Sequence, residues 1–171
     1  QGETAVGRPA KLDFNHHLAS GKSIVLTNQP AEKYSGDGNG SVVNAIMGSS
    51  ERYGDAEWFG FDGKDFEAFI DLGEKQKLTT ASFRFFNGKG QWIYPPKFVS
   101  VALSDDGENF YEVALQEVSD SDEKIVPISV PLKEAEGRFL KIYVRRHGII
   151  SDGKQGAGHE AWLFVDEIEI Q

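Results

Sequence analysis

The sequence predicts an all-β protein built as an antiparallel β-sandwich, and three observations carry this prediction. Apolar and polar residues alternate with a period of two in one run after another, which is typical of strands with one buried face. Turn residues such as Asp106-Gly107 separate the runs. Helical patterning extends over no more than a turn or two, as at residues 133–136 before Gly137, and strands do not alternate with helices as in α/β proteins.

Eight runs of this kind are predicted to be strands. In residues 66–72, Phe66, Ala68, Ile70 and Leu72 share one face of the strand, and Gly73 ends it. The other predicted strands are residues 23–27, 78–86, 98–104, 110–115, 125–130, 139–146 and 162–170.

The chain of 171 residues is predicted to hold one sandwich domain at residues 23–171. Residues 1–22 are weakly patterned and are predicted to be a linker or an N-terminal approach segment. They contain the pair His16-His17, which we interpret as incidental because no third metal ligand lies nearby in the sequence. Since the chain opens at Gln1 without a methionine, we expect it to derive from a longer polypeptide.

Composition argues against several classes of partner. The formal net charge of -9 disfavours nucleic acid and anionic membranes. The absence of cysteine excludes disulfides, thiolate metal sites and a cysteine nucleophile. No apolar run approaches the roughly 18 residues that a membrane span needs, so membrane insertion is not expected.

The long segment at residues 41–61 combines many glycine and polar residues with apolar anchors. Val42 and Val43 lie near its start, and Trp58, Phe59 and Phe61 lie near its end. A connection of this length inside a compact domain is usually functional. We therefore expect it to clamp an ion or bind a ligand.

Six segments together resemble one known family. They are NAIMG at 44–48, WFGFDG at 58–63, FEAFIDLG at 66–73, WIYPP at 92–96, VALSDDG at 101–107 followed by Phe110, and AWLFVDEI at 161–168. In this order and spacing they resemble the discoidin-like, coagulation factor 5/8 type C domains. Within that group, the chain is similar to family 32 carbohydrate-binding modules appended to bacterial exo-glycosidases of the β-hexosaminidase type. The resemblance implies a jelly roll of about eight strands whose loops at one end form the ligand surface.

The resemblance also implies a structural Ca2+ held by backbone carbonyls, an Asp-type side chain and a C-terminal Glu. Asn44 stands where the family more often has Asp, and Glu167 matches the Glu. Asn keeps an oxygen but removes a charge, which weakens a Ca2+ site or lets Na+ occupy it. The remaining candidate oxygen donors are Tyr34, Ser35, Asp37 and Ser49. Alternatively, Asn44 caps a turn and Glu167 faces solvent.

Candidate ligand contacts are aromatic rings in loops, which stack on the apolar face of a sugar, and polar groups that bond its hydroxyls. Trp92 is the first candidate, with Tyr94 close to it and Trp58 as a third ring. The loop at residues 145–159 adds Arg146, His147 and His159. For each ring the alternative is a core position, and for the long loop it is a solvated rim.

No motif in the sequence indicates catalysis, since Gly-x-Ser-x-Gly, His-Glu-x-x-His and phosphate-binding loops are absent. The resemblance therefore implies a non-catalytic module for galactose-type or N-acetylhexosamine-type glycans. We expect it to be attached to a glycosidase or surface protein that is secreted, periplasmic or at the cell surface of a bacterium. The alternative is a structural or protein-interaction sandwich that does not bind sugar.

Overall fold

The computed structural model describes residues 17–36, 38, 42–43, 47–49, 51–54 and 57–171. Its antiparallel strands confirm the predicted all-β fold. They are β1 (Ser23–Leu26), β2 (Phe59–Asp62), β3 (Phe66–Phe86), β4 (Phe98–Ser104), β5 (Tyr111–Glu117), β6 (Ile125–Arg145) and β7 (Trp162–Ile170). The described residues contain no α-helix, and short 3-10 turns occupy Glu32–Tyr34 and Lys89–Gln91.

The long strands β3 and β6 each contain 21 residues and pair with one another along their length. β1 pairs with residues 68–71 of β3, whereas β7 pairs with residues 81–85 of the same strand. The register of β3 against β6 breaks between residues 71 and 76, beside Gly73 with its φ of 89°. β3 and β6 therefore serve both layers of a sandwich, and each replaces two of the separately predicted strands.

The core lies on the face that the alternation predicted. Phe66, Ala68, Ile70 and Leu72 are all buried, and Leu140, Ile142 and Val144 of β6 lie in the same cluster. A smaller cluster of Trp58, Phe86, Ile93 and Phe164 closes the end of the sandwich that carries the long loops.

Two local predictions are corrected. Residues 133–136 are part of β6 and do not form a helical turn; Lys133 and Glu134 have φ angles of 55° and 59° at an irregular position of the strand. β2 was not among the predicted strands, and it pairs with β7 through residues 59–62.

The described part of the predicted linker packs on the sandwich. Ala19 is fully buried, and the backbone N–H of Leu18 donates to the carbonyl of Ile170 at 2.8 Å. Gly21 N–H donates to the carbonyl of Val43 at 3.1 Å. The folded unit therefore includes residues 17–22, which precede the predicted domain boundary at residue 23.

Candidate functional site

Two loops meet at the end of the sandwich where β3 leads to β4 and β6 leads to β7. They are residues 87–97 and 146–161. Trp162 N–H donates to the carbonyl of Trp92 at 2.8 Å, and Tyr94 N–H donates to the carbonyl of Trp162 at 3.2 Å. Ile93 also forms a parallel bridge with Trp162. These bonds fix the first loop against the start of β7.

Trp92 is held in a defined position with part of its ring open to solvent. It follows the 3-10 turn Lys89–Gln91 in a left-handed conformation, with a φ of 64°. Its ring stacks on His159 with centroids 4.2 Å apart and planes 19° apart. A Cβ atom on Gly156 would lie 2.5 Å from Cδ1 of Trp92, so the close approach requires glycine. The residue remains 38% exposed.

Tyr94 and His147 form a second stacked pair in the same two loops. Their centroids are 4.7 Å apart and their planes 27° apart. Tyr94 is only 3% exposed, and its hydroxyl donates to the carbonyl of Gln155 at 2.7 Å. The pair lines a cavity of about 260 Å3 together with Pro95, Pro96, Lys97, Val118, Ser119, Asp120 and Lys154.

The charged side chains around this cavity shift one another's pKa values. Lys89 Nζ donates to Oδ1 of Asp120 and to the carbonyl of Ser121, both at 2.9 Å. The hydrogen bond to Asp120 raises the pKa of Lys89, and the same bond lowers the pKa of Asp120. Burial lowers the pKa of His147, and the ammonium of Lys97 lowers it further. His147 is therefore a neutral imidazole at neutral pH.

Arg146 is tied to carboxylates of the same end. Its Nη1 donates to Oδ1 of Asp65 at 3.0 Å and its Nε donates to Oε1 of Glu160 at 3.2 Å. The hydrogen bond to Glu160 raises the pKa of Arg146. Asp65 also accepts from the backbone N–H of Arg146 and from the hydroxyl of Tyr143. Arg146 thus anchors the start of its loop, and its guanidinium is already engaged by two carboxylates.

The structure corrects the prediction that Trp58 contacts a ligand. Trp58 is 0% exposed, so its ring offers no surface to a bound sugar. Its Nε1–H donates to the carbonyl of Ser49 at 2.9 Å, and its ring packs edge-on against Phe86. Gly48 lies so close that a Cβ there would overlap Nε1 of Trp58. Trp58 is a core residue.

An aromatic cluster near Trp92 was not predicted from the sequence. The half-buried rings of Tyr34, Tyr53 and Trp162 gather around the buried Phe164, with centroids 5.0 to 5.8 Å from the Phe164 ring. The cluster borders a dimple of about 110 Å3, whose rim includes Lys33 and Gln91. Trp162 and Phe164 are two residues apart on β7, and this spacing was the available signal that they share a face.

The predicted calcium donors do not share one setting in the structure. Asn44 and Asp37 lie outside the described residues. The ring of Tyr34 belongs to the aromatic cluster, and the hydroxyl of Ser35 donates to the carbonyl of Glu32. Ser49 Oγ accepts from the backbone N–H groups of residues 51 and 52, and its carbonyl accepts from Trp58.

Glu167 is buried, not solvent-facing, and is 1% exposed. Its Oε2 lies 2.8 Å from Nε2 of His17. Backbone N–H groups of Ala19 and Ile170 both donate to Nδ1 of His17, at 3.2 Å each. Nδ1 therefore carries no proton, so His17 is the neutral tautomer that donates from Nε2 to Glu167. His17 therefore has a structural role that the sequence did not predict.

A cationic side chain, Arg84, lies beside Asp166, the residue before Glu167. β7 has one residue more than β3 between the pairs Phe83–Ile168 and Phe85–Val165, which is a β-bulge that places Asp166 and Glu167 opposite Arg84. Asp166 Oδ2 accepts from Arg84 Nη1 at 2.7 Å and from the backbone N–H of Gly48 at 2.6 Å. Burial raises the pKa of Asp166 to about 7, against the opposing effect of Arg84.

The contacts of the described residues compete with a calcium ion, which takes six to eight oxygen ligands, and the donors predicted at Asn44 and Asp37 lie outside these residues. Oε2 of Glu167, the carbonyl of Ser49 and Oδ2 of Asp166 are engaged by protein groups, and the guanidinium of Arg84 beside Asp166 would repel a divalent cation. Within residues 17–36, 38, 42–43, 47–49, 51–54 and 57–171, no group of three or more His, Cys, Asp or Glu side chains is arranged to hold a metal.

Several solved structures with a similar fold are carbohydrate-binding domains. Chitosan-binding module 1 of a chitosanase/glucanase from Paenibacillus sp. IK-5 superposes with a TM-score of 0.60 at 11% identity, over 92% of this chain and 99% of that one. A fucose-binding module from Streptococcus pneumoniae gives 0.55 at 17% identity, over 91% and 96%. A family 32 module from Clostridium perfringens, in complex with GalNAc-β-1,3-galactose, gives 0.58 at 11% identity, over 90% and 98%.

No protein-family model matches the sequence, and comparison with curated protein sequences finds no match. The structural likenesses cover nearly the whole of both chains in each case. The chain therefore has the β-sandwich fold found in these carbohydrate-binding modules, as the sequence resemblance predicted.

Proposed function

We propose that this chain is a non-catalytic glycan-binding module whose contact surface is built around Trp92. The observation that carries the proposal is a partly exposed tryptophan ring, stacked on His159 and fitted against Gly156, at the loop end of the sandwich. A ring that is fixed before binding loses little conformational freedom when a sugar stacks on it. Tyr94 and His147 line a cavity in the same two loops.

Structural comparison supports this choice of ligand class. The similar modules are described as binding chitosan or fucose, or as a complex with GalNAc-β-1,3-galactose. For this chain we propose a glycan with a galactose-type or N-acetylhexosamine-type sugar, since such a sugar presents an apolar face to an aromatic ring. The aromatic cluster of Tyr34, Tyr53 and Trp162 shares its dimple with Gln91 and Ile93, the chain neighbours of Trp92, and offers a place for a second sugar unit.

Charge pairing supports a non-catalytic role for this end of the molecule. Asp65 and Glu160 both accept hydrogen bonds from Arg146, and Asp120 accepts one from Lys89. The pKa values of Asp65 and Asp120 are lowered, which makes these two carboxylates poor general acids. These ion pairs are instead suited to holding the loops in position.

The proposal also concerns the protein to which this module is attached. We propose that the module targets a covalently attached glycosidase or surface protein to glycans outside a bacterial cell, in a secreted, periplasmic or surface-bound form. The described residues include no helix long and apolar enough to cross a membrane.

A glycan array on the isolated domain tests the proposal, followed by calorimetry with the best glycan. Trp92→Ala is expected to weaken binding at least about tenfold, as loss of one stacking ring does. Tyr111→Ala is the matched control, because Tyr111 is 50% exposed on the edge strand β5. Absence of binding to every glycan at millimolar concentration would contradict the proposal and favour a structural or protein-interaction domain.

A further inference from the structure

The cavity lined by Tyr94, Lys97, Asp120, His147 and Lys154, here called the lysine cavity, has a charge unlike that of the chain as a whole. The chain has a formal net charge of -9. The lysine cavity nevertheless brings two lysines and one aspartate to a space of about 260 Å3. A local positive field in an acidic protein indicates the sign of a bound ligand more clearly than the net charge does.

The aspartate of the lysine cavity is paired with a lysine outside the cavity lining. Asp120 accepts a hydrogen bond from Lys89 at 2.9 Å, and Lys89 also lies 3.7 Å from Asp122. Among the described residues, the ammonium groups of Lys97 and Lys154 have no carboxylate within 4.0 Å. Both side chains are exposed, so two positive charges at the rim remain available to a ligand.

His147 responds to the same positive field. Burial is the largest cause of its lowered pKa, and the ammonium groups of Lys97, Lys154 and Lys89 act in the same direction, while Asp120 opposes them. The neutral ring is half-buried against Tyr94, so one face is covered and its nitrogen atoms are left for hydrogen bonds. Ser119 at the rim adds a hydroxyl donor.

The lysine cavity is also continuous with the surface around Trp92. The carbonyl of Gln155 accepts the hydroxyl of Tyr94, and the next residue, Gly156, packs directly on the Trp92 ring. Lys154 lies at the rim of the lysine cavity on the same short turn. A glycan that stacks on Trp92 therefore has this cavity next to it.

We propose that the lysine cavity binds a negatively charged group on the glycan, a carboxylate of an acidic sugar or a sulfate ester, beside the sugar that stacks on Trp92. Lys97 and Lys154 supply the positive charge, and His147 and Ser119 supply hydrogen bonds. Lysine is suited to this role because its ammonium group is a compact point charge that can bind either a carboxylate or a sulfate ester. This inference rests on the proposed glycan-binding function and narrows its ligand to acidic glycans.

Calorimetry with matched neutral and acidic sugars tests the proposal. The probes are digalactose against digalacturonate, and N-acetyllactosamine against its 6-sulfated form, each at 50 and 300 mM NaCl. At the lower salt concentration, one or both acidic sugars are expected to bind about tenfold more tightly than the neutral partner, and the preference is expected to shrink at 300 mM as charges are screened. The pair that shows the preference identifies the carboxylate or the sulfate.

The double variant Lys97→Gln/Lys154→Gln is expected to abolish the preference and leave the affinity for the neutral sugar unchanged. Lys77→Gln, an exposed lysine of β3 that pairs with Glu136 in the strand register, is the matched control and is expected to keep the preference. Equal affinity for neutral and acidic sugars, or a preference that survives the double variant, overturns this inference while the proposed function stands. Failure of the unaltered domain to bind any of the four probes overturns the acidic ligand, and the glycan array decides whether the proposed function falls with it.

Discussion

His17 donates a hydrogen bond from Nε2 to Oε2 of Glu167 across 2.8 Å, and the two side chains are almost completely buried. The contact joins the first described residue to the last strand of the sandwich. Because two backbone N–H groups donate to Nδ1 of His17, the ring cannot gain a proton there without losing both bonds. The neutral imidazole therefore stabilises a buried carboxylate that the sequence resemblance had assigned to a calcium ion.

The first prediction is that calcium does not stabilise the domain. Addition of 5 mM CaCl2 or of EDTA is expected to leave the melting temperature unchanged, because a ligand raises stability only when it binds the native state. Differential scanning calorimetry with MgCl2 as the control measures this. A calcium-specific rise of several degrees would show that the segment around Asn44 completes an ion site despite the contacts of Glu167.

The second prediction concerns the bond between His17 and Glu167. His17→Ala is expected to lower the free energy of unfolding by about 1–3 kcal/mol, since it leaves a buried carboxylate without this donor. In a Glu167→Gln background the same change is expected to cost less, because no buried charge remains. Urea unfolding of the four proteins measures the coupling. Equal losses in both backgrounds would show that the His17 ring contributes only packing.

Strand content was predictable from the sequence because it depends on local alternation. Phe66, Ala68, Ile70 and Leu72 are buried as predicted, since a strand with one covered face must alternate. The continuation of the strand past Gly73 was not predictable. A glycine with positive φ marks a bend in a continuing strand as readily as it marks a strand end, and only the pairing with β6 distinguishes the two.

The candidate site was predictable only in part. Trp58 and Trp92 both lie in glycine-rich surroundings, yet one is wholly buried and the other is exposed. The two tryptophans differ in their tertiary contacts. The indole N–H of Trp58 donates to the carbonyl of Ser49, whereas the ring of Trp92 stacks on the ring of His159. The hydrogen bond between His17 and Glu167 joins residues 150 positions apart, and no local sequence pattern predicts it.

The third prediction is a pH dependence that arises at Asp65. Burial acts to raise the pKa of Asp65, but hydrogen bonds from Tyr143 and Arg146 outweigh it, and the pKa lies below the usual value of 3.8. Since the folded pKa is lowered, the stabilisation is present above about pH 4 and is lost as the pH falls through the folded pKa. Asp65→Asn is expected to be less stable at pH 7 and to lose less stability between pH 4 and pH 2.

Urea unfolding at half-unit pH steps measures this dependence. Asp62→Asn is the control, since Asp62 is exposed at the end of β2 and is expected to follow the unaltered domain. Parallel pH curves for Asp65→Asn and the unaltered domain would show that the ion pairs of Arg145 and Arg146 with Asp65 do not contribute to stability.

The last prediction separates the position of the Trp92 ring from the stability of its loop. Gly156→Ala places a Cβ atom 2.5 Å from Cδ1 of Trp92 at a φ of 84°. Gly153→Ala imposes similar backbone strain, at a φ of 83°, with no atom within 4 Å of the new Cβ. Both variants are expected to lose about 1 kcal/mol of stability from the left-handed backbone. Only Gly156→Ala is expected to displace the Trp92 ring from His159 and weaken glycan binding, by about tenfold in calorimetry. Equal affinities for the two variants would show that the contact with Gly156 does not set the position of the ring that meets the ligand.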